Sequence, residues 1–280
     1  MSLQISLIQT DLRWEDKAAN LALLEQKIES IPHTQVVVLP EMFSTGFSMQ
    51  PALLAETMEG PSVEWMKEIA ARKKIILTGS LIIRDHKTPL LPGEKGSGDE
   101  GFYNRLIWML PNGQYGTYDK RHLFAFAKED GQYTPGNKRL ITSVNGWKLN
   151  MQVCYDLRFP VWARQSLQSP GEQDGVRDTE YDVLINVANW PQRRSLAWKT
   201  LLQARAIENQ CYVVGVNRVG TDGNGIYHGG DSMVIDPLGE ILYHKADEED
   251  IVTITLHKTK LDEVRTKFPF WKDADGFGIY

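Results

Sequence analysis

The sequence predicts an α/β protein with mixed β-sheets. Three observations carry this. Short apolar runs such as Val36-Val37-Val38-Leu39, Ile75 to Ile83 and Val183 to Val187 have strand length and read as strands covered on both faces. Segments with helical apolar spacing alternate with them. The tripeptides Pro111-Asn112-Gly113 and Pro237-Leu238-Gly239 signal hairpins, which join antiparallel strands.

In chain order, Leu3, Ile5 and Leu7 alternate with Gln4 and Ser6 in a first strand. Asp16 is placed to cap a helix to about Ser30, with Ala19, Leu21, Leu23, Leu24 and Ile28 on its buried side. The strand Gln35 to Leu39 breaks at Pro40, and Glu41 follows. Ser62 opens a helix to Arg72 ahead of the strand Ile75 to Ile83, so the order begins β-α-β-α-β. Asp85 to Gly101, rich in Pro, Gly and charge, reads as a mobile surface loop because strands resume at once. Phe102 to Met109 and Tyr115 to Tyr118 form a hairpin, and a long irregular stretch from Asp119 leads to a strand near Arg139 to Thr142.

Trp147, Leu149, Met151 and Val153 then alternate with Lys148, Asn150 and Gln152 in a half-buried strand that ends at Cys154. A helix-like segment, Phe159 to Leu167, carries Pro160 in its first turn. Ser169 to Glu180 is a second polar loop. The strand Val183 to Val187 is broken at Ala188-Asn189-Trp190-Pro191, and Ser195 caps a helix to about Asn209. Cys211 to Val219 is a strand, with short strands around Met233 to Ile235, Ile241 to His244 and Ile251 to Leu256, and a helix from Lys258 to Lys267. The aromatic tail, with Phe268, Phe270, Trp271, Phe277 and Tyr280, is too apolar for solvent and is expected to pack on its own domain or on a second subunit. With no repeat and no linker, residues 1–280 are expected to form a single domain.

Composition removes several function classes. The 280 residues carry a net charge of −5 with both signs mixed, so no basic field points to nucleic acid or an anionic membrane. The apolar runs are far shorter than a bilayer span, and the N-terminus lacks a basic flank or cleavage site. Two cysteines make no disulfide framework, and a cytoplasmic globular protein is expected. The six histidines show no paired metal spacing, and Gly223, Gly225, Gly229 and Gly230 lack the strand–loop–helix context of a dinucleotide site. Neither a metal nor a cofactor is expected.

Three strand ends carry a reactive side chain: Glu41, Lys120 and Cys154. Such ends meet in the crevice where open α/β sheets bind ligands. A cysteine hydrolase needs these types: a thiol, a general base and a cation near the oxyanion. At a strand-to-helix turn, backbone N–H groups and the positive helix end can favour a thiolate; a buried structural cysteine is the competing reading. Cys211, inside an apolar run, reads as structural.

LPEMFSTGF, YDKRHLF and VCYDLRFP resemble the three catalytic signatures of the nitrilase (carbon–nitrogen hydrolase) superfamily, in its chain order of Glu, Lys and Cys. The Cys-Tyr-Asp elbow followed by Arg-Phe-Pro is similar to the ω-amidase branch, which hydrolyses 2-oxoglutaramate and 2-oxosuccinamate, as are ANWPQRRSLAW and ARAIENQCYVVGVNRVG. The resemblance implies a four-layer αββα sandwich with two mixed sheets, often paired through its helices into a homodimer. It implies that Cys154 attacks an amide carbonyl while Glu41 takes its proton, and that Lys120 and the Tyr155 backbone N–H hold the oxyanion. Glu129, before Pro135-Gly136, fits the family's second glutamate, with Asp130 its rival by proximity. A substrate carboxylate would need a cation, for which Arg158, Arg193 and Arg194 are candidates. Asn189 and Trp190 are expected to line the cleft, and Phe43 and Phe124 either to wall it or to lie in the core. His122 sits beside Lys120 without a role in this chemistry. Two other readings stay open: another amidase or nitrilase on the same site, and a catalytically silent binding protein that kept the scaffold.

Overall fold

The computed structural model describes residues 1–86, 100–165 and 179–275. It contains β1 (Ser2–Gln9), α1 (Lys17–Glu29), β2 (Val36–Val38), α2 (Pro51–Leu54), α3 (Pro61–Lys73), β3 (Ile76–His86), β4 (Glu100–Met109), β5 (Tyr115–Asp119), β6 (Leu140–Val144) and β7 (Trp147–Val153). These are followed by α4 (Pro160–Ala163), β8 (Val183–Ala188), α5 (Ser195–Asn209), β9 (Tyr212–Asn217), β10 (Val219–Thr221), β11 (Tyr227–Ile235), β12 (Ile241–Ala246), β13 (Asp250–His257) and α6 (Lys258–Lys267).

The strands form two mixed sheets. One has the order β13-β1-β2-β3-β4-β5, the other β10-β11-β9-β8-β7-β6 with β12 also paired to β11. Side-chain parity explains the layering. Leu3, Ile5 and Leu7 of β1 and Leu106 and Trp108 of β4 share one core with Leu149, Met151 and Val153 of β7 and Val183, Ile185 and Val187 of β8. The opposite parity, including Ile8, Val37, Ile107 and Met109, packs under Leu24 and Ile28 of α1 and Met66 and Ile69 of α3. On the far side, Leu184 and Val213 pack under Trp198 and Leu202 of α5. The result is α/β in four layers, α-β-β-α.

Most elements follow the sequence pattern. Asp16 caps α1, accepting a hydrogen bond from the Ala19 N–H at 3.0 Å. Four expectations need correction. Phe159 to Leu167 is not one helix: Cys154–Arg158 forms a 3₁₀ turn and α4 spans four residues, while Leu167 lies outside the described residues. Ser195 is the first residue of α5 rather than its cap, and its hydroxyl is engaged by Asp231. The run Cys211 to Val219 divides at Arg218, whose buried guanidinium reaches across to Asp11 at 2.7 Å. The strand near Met233 begins earlier, at Tyr227, because a register shift between Gly230 and Ser232 absorbs the irregular residues.

Phe268 and Trp271 lie half-buried on their own chain, where Gln210 bonds the Phe268 carbonyl at 2.7 Å and the Trp271 N–H at 3.2 Å. Phe270 stays exposed. Phe277, Tyr280 and most of the two polar loops lie outside the described residues. Among the described residues no helix is long and apolar enough to cross a membrane, and no cluster of His, Cys, Asp and Glu is arranged to hold a metal.

Candidate active site

The C-terminal ends of β2, β5, β7 and β8 converge, and each delivers one polar side chain. After β2 the chain is pinned to β3: the Met42 N–H donates to Ser80 Oγ at 2.8 Å and the Phe43 N–H to the Ser80 carbonyl at 3.1 Å. Glu41 is thereby held in full burial. Lys120 follows β5 with the inward parity of Tyr118, and its N–H donates to the Asn104 carbonyl at 3.0 Å. Behind it Gly136 passes so close that a Cβ would stand 2.1 Å from the Asp119 carbonyl oxygen, so only glycine lets this loop fold over the strand end.

Lys120 Nζ donates to Glu41 Oε1 at 2.9 Å and to both oxygens of Glu129 at 2.9 Å. All three side chains are fully excluded from solvent. Asn104 Nδ2, on the same inward face of β4, donates to Glu41 Oε1 at 2.8 Å and to Glu129 Oε1 at 3.3 Å. The Phe124 N–H donates to Glu129 Oε2 at 2.6 Å, and the Asn189 N–H, one residue past β8, to Glu41 Oε2 at 2.8 Å. Asn189 Nδ2 also holds the Glu41 carbonyl, at 2.5 Å. No rotamer freedom is left in this corner.

Cys154 leaves β7 with φ of +46°, a left-handed conformation that a β-carbon makes costly and that turns its side chain out of the strand alternation. Its thiol lies within the electrostatic reach of Glu41 and Lys120. Burial, reinforced by Glu41, pushes the thiol well above its ordinary pKa, against the opposing pull of Lys120. The turn after Cys154 is a short 3₁₀ turn rather than a long helix, so burial and the Glu41 carboxylate outweigh any help a helix end could give the thiolate. Burial alone would lower the Lys120 pKa, but Glu129, Glu41 and the sulfur outweigh it, and the ammonium is held firmly protonated. Burial raises the Glu129 carboxyl, with Lys120 opposing.

Cys154 and Lys120 lie at the inner end of a cavity of about 330 Å³ that also takes in Tyr155, Phe124, Arg158, Asn189, Trp190, Arg193 and Arg194. Arg158 lies over the Trp190 ring at 5.0 Å, and Arg194 lies over Phe124 at 5.0 Å and Phe126 at 6.0 Å. Among the described residues, none of the three arginines is paired with a carboxylate. Of the two aromatics read as wall or core, Phe43 takes the core role. Its side chain fills the space over Gly79 and meets Trp65 at 5.8 Å in the core beneath α3. Two residues after Glu41, it faces away from the cavity. Asp130 is exposed while Glu129 is buried, which separates the two rivals.

Sequence reasoning passed over Asn104, Asp156, Phe47 and His228. An amide on the inward face of the strand, in line with Leu106 and Trp108, was a readable signal for Asn104. Phe47, 5.1 Å from Lys120 Nζ, carried none.

Comparison with known proteins agrees with this geometry. Residues 4–266 match the family model described as carbon–nitrogen hydrolase. The chain is 41% identical to the omega-amidase YafV of Escherichia coli over 99% of both chains. It is 30% identical to the 2-oxoglutaramate amidase of Bacillus subtilis over 98% of both. It also superposes on a CN-hydrolase superfamily protein from Xanthomonas campestris whose active site carries an arsenic adduct, with a TM-score of 0.90, 41% identity and full coverage of both chains. This chain therefore belongs to the carbon–nitrogen hydrolase family, as a hydrolase acting on C–N bonds.

Proposed function

We propose that this protein is a thiol-dependent ω-amidase that hydrolyses the terminal amide of small 2-oxo dicarboxylic monoamides, such as 2-oxoglutaramate and 2-oxosuccinamate, to the dicarboxylate and ammonia. One observation carries the reading: a solvent-excluded Glu41–Lys120–Glu129 corner that acts electrostatically on the Cys154 thiol closes a cavity that also holds three guanidinia with no carboxylate partner among the described residues. The corner suits an uncharged amide, and the arginines suit a carboxylate at the other end of the same molecule. The relatives named omega-amidase and 2-oxoglutaramate amidase support that substrate class.

In the proposed reaction Cys154 rests as a thiol. As its sulfur bonds the amide carbon, the S–H proton passes to Glu41 and the C=O pair moves onto oxygen. The oxyanion is held by the Lys120 ammonium and the Tyr155 N–H; each such donor is worth on the order of 10²–10³ in rate. Collapse breaks the C–N bond, and Glu41 returns the proton to nitrogen, so ammonia leaves and a thioester remains. Water then adds to the thioester carbon, giving its proton to Glu41. The C–S bond breaks, Glu41 returns its proton to the sulfur, and the product leaves as the carboxylic acid, which gives its remaining proton to solvent. Glu129 acts by holding Lys120.

Pairing into a homodimer belongs to the same proposal, supported by exposed Leu196 and Ile207 on α5 and by exposed Leu238, Ile241 and Leu242 elsewhere on the chain. So does a cytoplasmic location. Ammonia release from 2-oxoglutaramate, 2-oxosuccinamate, neutral aliphatic amides and nitriles tests the substrate reading. The expected order places the two 2-oxo acids at least tenfold ahead in kcat/KM. Equal or better use of a neutral amide or nitrile would overturn it, and no turnover at all would favour a silent binding protein.

A further inference from the structure

His122 and Asp156 belong to the signature segments yet have no part in the reaction as drawn. Their contacts join the two sheets. Asp156 is completely buried and accepts four hydrogen bonds. Oδ1 receives the His122 N–H at 2.9 Å and His122 Nδ1 at 2.8 Å. Oδ2 receives the Tyr118 hydroxyl at 2.7 Å and the Val153 N–H at 3.0 Å. Tyr118 and His122 flank Lys120 on either side, whereas Val153 immediately precedes Cys154. The Tyr118 oxygen also accepts from Trp162 Nε1 at 2.9 Å and from the Arg121 N–H at 3.3 Å. The His122 ring stacks on Phe159 with centroids 3.7 Å apart.

We propose that Asp156 is a positioning residue that, with His122, locks the Lys120 turn of one sheet to the Cys154 turn of the other and so sets the distance between ammonium and sulfur. The inference rests on the roles proposed above for Lys120 and Cys154. Each side of the carboxylate faces two donors, so only a group that accepts at both oxygens satisfies all four. An amide in its place accepts on one side alone: with its oxygen toward His122, its NH₂ opposes the Val153 N–H and releases the backbone before Cys154. A displacement of about 1 Å at reacting atoms costs on the order of 10²-fold in rate. Neither Asp156 nor His122 lines the cavity, so ground-state binding is expected to be left in place.

The experiment compares D156N, H122A and H122N in the full-length chain, reading kcat and KM for ammonia release and the rate at which iodoacetamide alkylates Cys154. Asparagine at position 122 keeps a donor near the place of Nδ1. Expected are a fall in kcat of about 10²-fold for D156N and about tenfold for H122A, with KM within about threefold and recovery in H122N to within about threefold of the parent. Alkylation of Cys154 in D156N should slow by about tenfold. A folded D156N with unchanged kcat and unchanged alkylation overturns the proposal. So does an effect confined to KM, or a loss in H122A that H122N fails to recover. Should D156N not fold, the H122A and H122N pair decides. Alkylation needs no amide substrate, so slowed labelling in a protein inactive on every amide would uphold the lock and reject the amidase reading.

Discussion

The two ends of the cavity use the same kinds of side chain in opposite ways. At the inner end, Lys120, Glu41 and Glu129 are wholly buried and their charges satisfy one another at 2.9 Å. At the mouth, Arg193 is exposed, Arg194 is half-buried against aromatic faces, and Phe126 is 75% exposed. Dry, mutually saturated charge is strong and immobile, which suits bond making. Guanidinia resting on rings keep their donors available for an incoming anion. The inner end should therefore govern kcat and stability together, the mouth KM alone.

The largest effects should come from removing the sulfur or its base. Cys154→Ala and Glu41→Gln should each cut ammonia release by at least about 10⁴-fold while leaving the fold intact. Glu41→Gln sharpens the point, because Glu41 raises the thiol pKa and Lys120 lowers it. Thiolate absorbance near 240 nm should thus appear at lower pH in the inactive variant than in the parent. An upward shift would mean that Glu41 does not act on Cys154 as described.

Next is Lys120→Met, which leaves two buried carboxylates facing each other. Urea unfolding should show a loss of about 3–5 kcal/mol, with kcat down about 10²–10³-fold. A stable, active Lys120→Met protein would break the contrast between the two ends. At the mouth, Arg194→Met should raise KM for a 2-oxo acid amide by about tenfold or more, in line with loss of about 1.5–3 kcal/mol of charged hydrogen bonding. Its effect on kcat and on neutral amides should be less than about twofold, as steady-state kinetics will read.

The smallest effect concerns His228, also on the cavity wall. Burial, aided by Arg218, brings its pKa down to about 4. Between about pH 6.5 and 4 the unfolded chain takes up a proton that the folded one refuses. Stability is therefore undiminished above 6.5 and falls as pH drops through that window, by up to about 3 kcal/mol. His228→Gln should flatten this limb of a melting-temperature profile, unless the folded state binds the proton after all.

Legibility in the sequence followed parity and strand ends. Alternation in β1 and β7 and the hairpin signals between strands made mixed sheets readable, and Glu41, Lys120 and Cys154 were visible because each follows a strand-like run in a polar turn. Phe43 was left between wall and core because the backbone after Leu39 reverses through Met42, with φ of +44°, and no strand pattern encodes that turn. Asn104 and Asp156 were passed over because their importance lies in partners 25–63 residues and 34–38 residues away. The helix expected over Phe159 to Leu167 was read too long because Pro160 opens a helix equally well whatever its length.

The left-handed backbone at residue 154 also limits which atoms can serve as nucleophile on this scaffold. Serine fits the torsion as cysteine does, exchanging sulfur for a harder oxygen. Threonine carries an extra methyl on its branching carbon, which makes φ near +46° a genuine outlier. A threonine hydrolase is thus closed to this architecture by sterics before acidity enters the question.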